Sequence, residues 1–256
     1  MLDFNCYIGS WPFHPLAVET FEELKTIHQE NGIAGGFVSS LKSMFRRDYF
    51  DSEKELYETL KGTSYRQVMT VNPLFPACLD IVRYGIENWN IAGVRVLPTY
   101  HGYELDNSFF EELCALLQEK GLPLYLTLYL EDVRNTYMLI PKPIKADELK
   151  VWLDSHHNLT VLLCGGSTYA DLIACKEHIL AHPACFYETS GMRHGCFPLE
   201  ELGEAMRQRV VYGSMSGILC LKSSLLHMQI GELNEEELAA ASDGRNFLAK
   251  CPGVAK

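Results

Sequence analysis

The chain has 256 residues, 47% of them hydrophobic, which is enough to bury a large core. Its formal charge of −11 repels a phosphate backbone, and no stripe of Lys and Arg offsets that repulsion, which excludes nucleic acid as a partner. No apolar run approaches the roughly 18 to 20 residues of a membrane span, and the sequence does not start with the basic segment of a signal peptide. We therefore expect a cytoplasmic protein with no membrane partner.

Short apolar runs alternate with helical patterns along the whole chain, which is typical of repeated strand-helix units. The predicted strands lie near residues 2–8, 34–39, 66–72, 92–98, 123–130, 160–164, 184–189 and 209–214. Among the intervening segments, residues 20–31 and 108–121 have the period of amphipathic helices. The second of these can be capped by Asn107 or Ser108, and Gly121 ends it.

A last helix is predicted from Asn234, which with Glu237 matches a capping box. Eight strand-helix units with right-handed crossovers predict an α/β protein, a single (β/α)8 TIM barrel over residues 1–256 with a C-terminal helical extension. A doubly wound open sheet is the alternative. It is disfavoured because no GxGxxG motif follows the first strand.

In a barrel of this kind the chemistry belongs to the C-terminal ends of the strands. Side chains alternate along a strand, so every second residue of each strand faces the interior. The residues grouped in this way are Asp3, Asn5 and Tyr7 on strand 1, Arg95 and Leu97 on strand 4, Tyr125, Thr127 and Tyr129 on strand 5, and Val211, Gly213 and Met215 on strand 8.

Five segments of the chain, in order, resemble one known family. They are LDFNCYIG at the start, AGVRVLPTYHGYELDNSFFEELCALLQEKGLPLYL from residue 92, VLLCGG ending at residue 166, VVYGSM from residue 210 and LNEEELAAASDGRNFLAK from residue 233. Together they resemble the amidohydrolase superfamily, specifically its amidohydrolase-2 branch of decarboxylase-like, metal-dependent hydrolases. This resemblance also implies a TIM barrel.

The family resemblance implies a divalent metal held by a His-x-His pair on strand 1, by His on strands 5 and 6, and by Asp on strand 8. Carried over by position, these ligands fall on Asn5, Tyr7, Thr127, the vicinity of Leu163, and Met215. None of the five is a normal ligand for zinc or manganese. We therefore expect a degenerate metal site, with no metal and no cofactor.

Arg95 is the main candidate for substrate binding, because an Arg inside a barrel is costly to bury without an anionic partner. A small carboxylated molecule would be such a partner; alternatively, Arg95 pairs with Glu188 on strand 7. Glu188 and Ser190 lie at the end of that strand, where a buried carboxyl group of raised pKa can act as general acid or base. As a structural partner of Arg95, Glu188 would instead stay ionised.

Tyrosines form a second group of candidates at the same end of the barrel. Tyr7, Tyr125 and Tyr129 can donate hydrogen bonds to a ligand or stack on its ring, or they simply fill the barrel. With Asn5, Thr127 and Met215, which stand at positions of lost metal ligands, they complete the predicted substrate-binding set.

Three histidines, His14, His101 and His194, follow strands 1, 4 and 7 in loops on the expected site face. His101 and His194 are candidate acid-base groups, and the three together could rebuild a metal site; the alternative is plain solvent exposure. The nine cysteines form no CxxC pair and are predicted to be free and mostly buried. Cys6 and Cys164 are accordingly interpreted as core thiols rather than nucleophiles.

The sequence leads to two main hypotheses of function. The first is a metal-independent hydrolase or lyase that acts on a small carboxylated metabolite, with Arg95 as the anion anchor and Glu188 or a loop histidine as the proton-transfer group. The second is a non-catalytic descendant of the family that binds a metabolite or a protein partner. Assembly as a homo-oligomer is left open.

Overall fold

Eight parallel strands follow one another in chain order around a barrel. The computed structural model describes residues 1–131, 142, 144–165, 169–191, 203–230 and 233–254. The strands are β1 (Leu2–Ile8), β2 (Gly35–Ser40), β3 (Arg66–Thr70), β4 (Gly93–Val96), β5 (Leu124–Thr127), β6 (Val161–Cys164), β7 (Cys185–Glu188) and β8 (Val210–Val211). Each predicted strand is found at its place in the chain.

Backbone hydrogen bonds join the last strand to the first. The amide of Phe4 donates to the carbonyl of Tyr212 at 2.9 Å, that of Met215 to Asn5 at 2.7 Å, and that of Tyr7 to Ser216 at 2.9 Å. A doubly wound open sheet would leave β1 and β8 as separate edges. The bonds across this seam, with the parallel order of the strands, confirm the predicted (β/α)8 barrel.

Helices follow the strands and form the outer layer. They are α1 (Phe21–Glu30), α2 (Phe50–Leu60), α3 (Cys78–Trp89), α4 (Pro98–His101), α5 (Ser108–Lys120), α6 (Ala146–Ser155), α7 (Tyr169–Ala181), α8 (Glu204–Arg207), α9 (Leu221–Ile230), α10 (Glu235–Asp243) and α11 (Arg245–Leu248). Asn107 caps α5, and Asn234 with Glu237 forms the predicted capping box of α10. Within the described ranges, no helix has both the length and the apolar character that a membrane span requires.

The C-terminal helices close the N-terminal end of the barrel. The ring of Phe247 on α11 lies with its centroid 5.8 Å from that of Phe4, 6.1 Å from that of Tyr125 and 5.5 Å from that of Phe186. Gly244 turns the chain into α11 with a φ of +64°, and a Cβ at this position would lie 2.1 Å from the Phe4 ring. Only glycine fits this turn, so the predicted helical extension is part of the barrel's core.

An irregularity in β1 changes which of its residues face inward. The pairing register of β1 with β2 shifts between Asp3 and Cys6, as at a β-bulge. Asp3 consequently faces α1, where its Oδ2 lies 3.2 Å from Nε2 of His28. The prediction that Asp3 shares the inner face with Asn5 and Tyr7 is therefore wrong, because strict alternation does not survive the bulge.

Candidate functional site

Arg95 lies at the centre of the barrel, where its guanidinium is bound by three side chains from three other strands. Its Nε donates to Oγ of Ser39 at 2.8 Å, Nη1 donates to Oγ1 of Thr127 at 2.7 Å, and Nη2 donates to Oδ1 of Asn5 at 2.9 Å. The side chain is completely buried. A buried Arg needs hydrogen-bond acceptors, and the barrel supplies one to each of its three side-chain nitrogens.

Two tyrosine rings flank the same guanidinium. The Arg95 Cζ atom lies 4.6 Å from the ring centroid of Tyr7 and 5.3 Å from that of Tyr125. These distances are within the range of a cation–π interaction. Tyr7 and Tyr125 therefore stabilise the positive charge as well as filling the barrel, and their contacts to a ligand stay a prediction.

Glu188, at the end of β7, accepts hydrogen bonds on both carboxylate oxygens. Its Oε1 accepts from Nδ2 of Asn5 at 3.0 Å, from the amide of Gly165 at 2.6 Å and from Oγ of Ser190 at 2.6 Å, and its Oε2 accepts from the amide of Ser190 at 2.5 Å. Burial raises the pKa of Glu188 above its ordinary value, and the bonds from Ser190, Gly165 and Asn5 offset part of that rise. The carboxyl group is thus held in place by four donors.

Asn5 connects the two charged groups. Its amide oxygen accepts from Arg95 while its amide nitrogen donates to Glu188. The predicted direct pairing of Arg95 with Glu188 is accordingly replaced by an amide bridge. We call Asn5, Ser39, Arg95, Thr127 and Glu188 the central network.

Close packing around this network depends on a glycine of the last strand. Gly213, just beyond β8, lies so close that a Cβ there would be 2.7 Å from Oε2 of Glu188 and 2.9 Å from Cβ of Asn5. Gly213 therefore faces the barrel interior, as predicted from the alternation of its strand.

The side chains at the positions to which the family resemblance assigns metal ligands do not fit a divalent metal. Asn5, Tyr7 and Thr127 all contact the Arg95 guanidinium, Leu163 is part of the hydrophobic core, and Met215 is buried. Imidazole, carboxylate and thiolate donors are missing from these positions, and a fixed cation lies among three of them. A second cation at this place would be repelled by the first.

An apolar layer separates the central network from the C-terminal mouth of the barrel. This mouth layer consists of Tyr7, Trp11, Leu41, Met44, Leu97, Leu130 and Met215, which lie at or beyond the ends of several strands. Each of these side chains is at most 4% exposed. Met215 thus belongs to the mouth layer, and a ligand that reaches Arg95 has to displace part of this layer.

The histidines of the predicted rebuilt site have separate partners. Nε2 of His14 lies 2.9 Å from Oε1 of Glu131, and the Pro15 carbonyl together with Glu131 raises the pKa of His14. Nε2 of His101 lies 2.8 Å from the Met44 carbonyl, and burial lowers the pKa of His101 to about 4, so this ring is neutral near pH 7. His194 lies outside the described residues. Among those that are described, neither His14 nor His101 belongs to a cluster of three metal-ligating groups.

Other predicted residues are placed as follows. Ser190 is buried beside Glu188, whereas Tyr129 is half-buried beyond the end of β5. Cys6 faces outward and packs against α1, as predicted. All the cysteines in the described part of the chain are free, and Cys220 is exposed while the others are buried.

Sequence reasoning missed one member of the site, Ser39, and did not place Cys164 beside Arg95. Ser39 is the register partner of Tyr7, so the pairing of β1 with β2 would have indicated it. Cys164 faces the interior near Arg95, whose charge lowers the thiol pKa, but burial has the larger effect and raises that pKa to about 12. Cys164 therefore remains a protonated thiol at neutral pH, in keeping with its interpretation as unreactive.

Comparisons with known proteins identify the fold of the chain but not its activity. No family model and no curated protein matches the sequence. Among solved structures, 5-carboxyvanillate decarboxylase from Sphingomonas paucimobilis matches with a TM-score of 0.71 and 11% identity over 98% of both chains. A protein described as an amidohydrolase from Staphylococcus aureus gives 0.69 and 11% over 98% of both chains. The 2,6-dihydroxybenzoate decarboxylase from Rhizobium gives 0.64 and 11% over 97% of this chain and 99% of that one. The chain thus shares the barrel fold of decarboxylases and amidohydrolases of the amidohydrolase-2 type.

Proposed function

We propose that the protein is a metal-independent lyase or hydrolase that acts on a small carboxylated molecule, with the Arg95 guanidinium in the place of the metal. The observation that carries this proposal is the set of contacts made by Arg95. Its guanidinium is bound by Asn5 and Thr127 and covered by Tyr7, three residues at positions of family metal ligands. The names of the structural neighbours, two of them decarboxylases of aromatic carboxylates, support a carboxylated substrate.

The exchange of a metal for a guanidinium limits the chemistry that the site can perform. A bound metal lowers the pKa of water from about 15.7 to about 7, which corresponds to about 12 kcal/mol of nucleophile activation. A guanidinium lacks a coordination position for water and cannot supply this activation. It can bind a carboxylate and stabilise negative charge that develops on the substrate. Bond cleavage that leaves an anion, as in a decarboxylation, suits the site better than attack by hydroxide.

Glu188 is the proton-transfer group in this proposal. It is buried, its pKa is raised, and the Ser190 hydroxyl contacts its Oε1 at 2.6 Å. A carboxyl group poised in this way can deliver a proton to a substrate carbon or oxygen. Substrate enters through the mouth layer, and the predicted ligand contact of Tyr129 belongs to that entrance.

The test measures turnover of a panel of aromatic and aliphatic carboxylic acids before and after exhaustive chelation. We expect turnover to survive chelation and to be lost in Glu188→Gln. Arg95→Lys, which keeps the charge, should retain more activity than Arg95→Met, and circular dichroism checks that each variant is folded. Activity that disappears on chelation and returns with zinc or manganese would contradict the proposal.

A second candidate function is binding without catalysis. It is favoured by one observation: the central network lies beneath the mouth layer, and three of the five N–H donors of Arg95 are already used. In that case calorimetry would detect binding of a carboxylic acid with no product formed under any metal condition. Product formation in the wild type that is lost in Glu188→Gln would exclude this candidate.

A further inference from the structure

We propose that Asp3, Cys6 and His28 form a binding site for a divalent transition metal, zinc above all, on the outer side of β1. We call these three residues the outer cluster. It lies between the barrel and α1, next to the central network through the backbone amide of Asn5, which donates to Oδ1 of Asp3 at 3.0 Å. The proposal is independent of the proposed catalytic function. The family's metal-ligand positions do not include any of its members.

The three side chains bring one ligand atom each to the same place. These atoms all lie within 4.8 Å of one another. Oδ2 of Asp3 and Nε2 of His28 are 3.2 Å apart. Two ligands of a tetrahedral zinc ion, each about 2.1 Å from it, are separated by about 3.4 Å, so the observed spacing suits a shared ion.

His28 Nε2 is the second observation that points to a metal. The side chain is completely buried, and this nitrogen makes no hydrogen bond within the described part of the chain, although Asp3 is close. The other ring nitrogen, Nδ1, lies 3.1 Å from the hydroxyl of Tyr65. A metal-binding histidine is usually oriented through its second nitrogen in this manner. His28 therefore presents Nε2 to the carboxylate of Asp3, 3.2 Å away, from a fixed ring position.

The surroundings leave room for the ligands and offer a further donor. A Cβ on Gly36 would lie 3.1 Å from Sγ of Cys6, so glycine at this position makes space for the thiol. The hydroxyl of Tyr212 is buried and makes no hydrogen bond among the described residues. Burial raises the pKa of Tyr212, and the negative charges of Asp3 and Cys6 raise it further. Tyr212 is thus the candidate for a fourth ligand.

Charge balance favours a divalent ion at this place. A carboxylate, a thiolate and a neutral imidazole carry two negative charges, which a divalent cation neutralises in a site without solvent. Binding displaces the thiol proton of Cys6 to the solvent. Sulfur, nitrogen and oxygen together suit zinc better than magnesium or calcium.

The experiment uses cobalt(II) as the probe, because a cobalt–thiolate bond gives a charge-transfer absorption band. The full chain is unfolded with chelator and refolded with cobalt(II), since the buried site is closed in the folded protein. We expect about one cobalt per chain, by plasma mass spectrometry, and the charge-transfer band. Both should be lost in Cys6→Ser and His28→Gln. Cys251→Ser is the matched control, because Cys251 is also buried and its Sγ also donates to a backbone carbonyl.

Two more variants keep the test decisive where a ligand variant fails to fold. Tyr65→Phe removes only the hydroxyl that contacts Nδ1 of His28 and should weaken cobalt binding by about 10- to 100-fold. Asn5→Ala alters the central network and should leave the band unchanged. A refolded wild type without the band, or a band that persists in Cys6→Ser, would overturn the proposal. A cobalt stoichiometry that falls in Asn5→Ala but not in Cys6→Ser would instead place the ion inside the barrel.

Discussion

For Asn5, the sequence predicts the position in the strand but not the hydrogen-bond partners. The family resemblance implies a histidine at this position. The place of Asn5 on β1 and its inward direction follow from the sequence. Its partners do not, because Arg95 and Glu188 are 90 and 183 residues away in the chain. Alternation along a strand assigns a face, whereas contacts across the barrel depend on register and rotamers of several strands together.

Glu53 on α2 is a buried carboxyl group that sequence reasoning did not single out. Its Oε1 accepts from the amide of Thr70 at 3.2 Å and its Oε2 from Nε2 of Gln67 at 2.8 Å. Burial nevertheless raises the pKa of Glu53 from 4.5 to about 7. Between these two values the folded protein keeps a proton that the unfolded chain releases.

We therefore predict that Glu53 lowers the free energy of unfolding as the pH rises through this window. The contribution is fully present below pH 4.5 and lost above pH 7, and it amounts to about 3 kcal/mol. The measurement is urea unfolding of the wild type and Glu53→Gln from pH 4.5 to 8. Subtracting the free energy of unfolding of Glu53→Gln from that of the wild type isolates the contribution of Glu53. His101 and His182 contribute equally to both proteins; burial lowers their pKa values to about 4, and their effect on stability has the opposite sign.

Glu55→Gln is the control for this prediction, because Glu55 lies on the same helix but pairs with Lys42 at the surface. The difference in free energy of unfolding between Glu55→Gln and the wild type should not change with pH in the way expected for Glu53→Gln. If the free-energy difference between the wild type and Glu53→Gln were constant from pH 4.5 to 8, folding would not shift the pKa of Glu53, and the prediction would be wrong.

At the scale of elements, the helix ends and strand positions were predictable because their signals are local. Gly121 and Asn234 end and begin helices where the sequence indicates. The bulge in β1 has no such signal, since it depends on how β1 pairs with its neighbours. One extra residue in a ladder was enough to move Asp3 from the predicted inner face to α1.

The cap of α5 gives a prediction at this scale. The Asn107 side chain accepts from the amides of Phe109 at 3.0 Å and of Phe110 at 3.4 Å. Asn107→Ala leaves these amides without that acceptor and should lower the free energy of unfolding by about 1 kcal/mol, while Asn107→Ser should recover most of the loss. Urea unfolding at constant pH measures both. Equal midpoints for the alanine variant and the wild type would mean that water replaces the cap without cost.

At the scale of the whole molecule, the barrel was predictable from the regular alternation of eight strands and helices. The sequence did not predict which side chains form the centre of this barrel. The family resemblance assigns metal ligands to five positions, but it does not indicate that a single guanidinium contacts three of them. Whether residues 1–256 form one domain, and whether the protein assembles as a homo-oligomer, stay predictions.

The seam between β8 and β1 should be the part of the sheet that opens most readily. β8 has only two residues, and the bonds of Phe4, Met215 and Tyr7 complete the closure. We expect the amides of these three residues to exchange with deuterium faster than those of Leu124 and Val161, which lie between longer strands. Hydrogen exchange followed by NMR tests this order. If the seam amides and those of Leu124 and Val161 were equally protected from exchange, the barrel would open as one unit.

Asn5 belongs to this seam and to the central network. Its carbonyl accepts from the amide of Met215, while its side chain joins Arg95 to Glu188. The interior charges therefore cannot be fully bonded until the two ends of the chain have met. Contacts between distant segments form late in folding, because the entropy of closing a long loop opposes them. In a nascent chain, Arg95 and its partners Asn5, Ser39 and Thr127 are all synthesised before Glu188. The bridge from Asn5 to Glu188 is therefore completed only after β7 has been added.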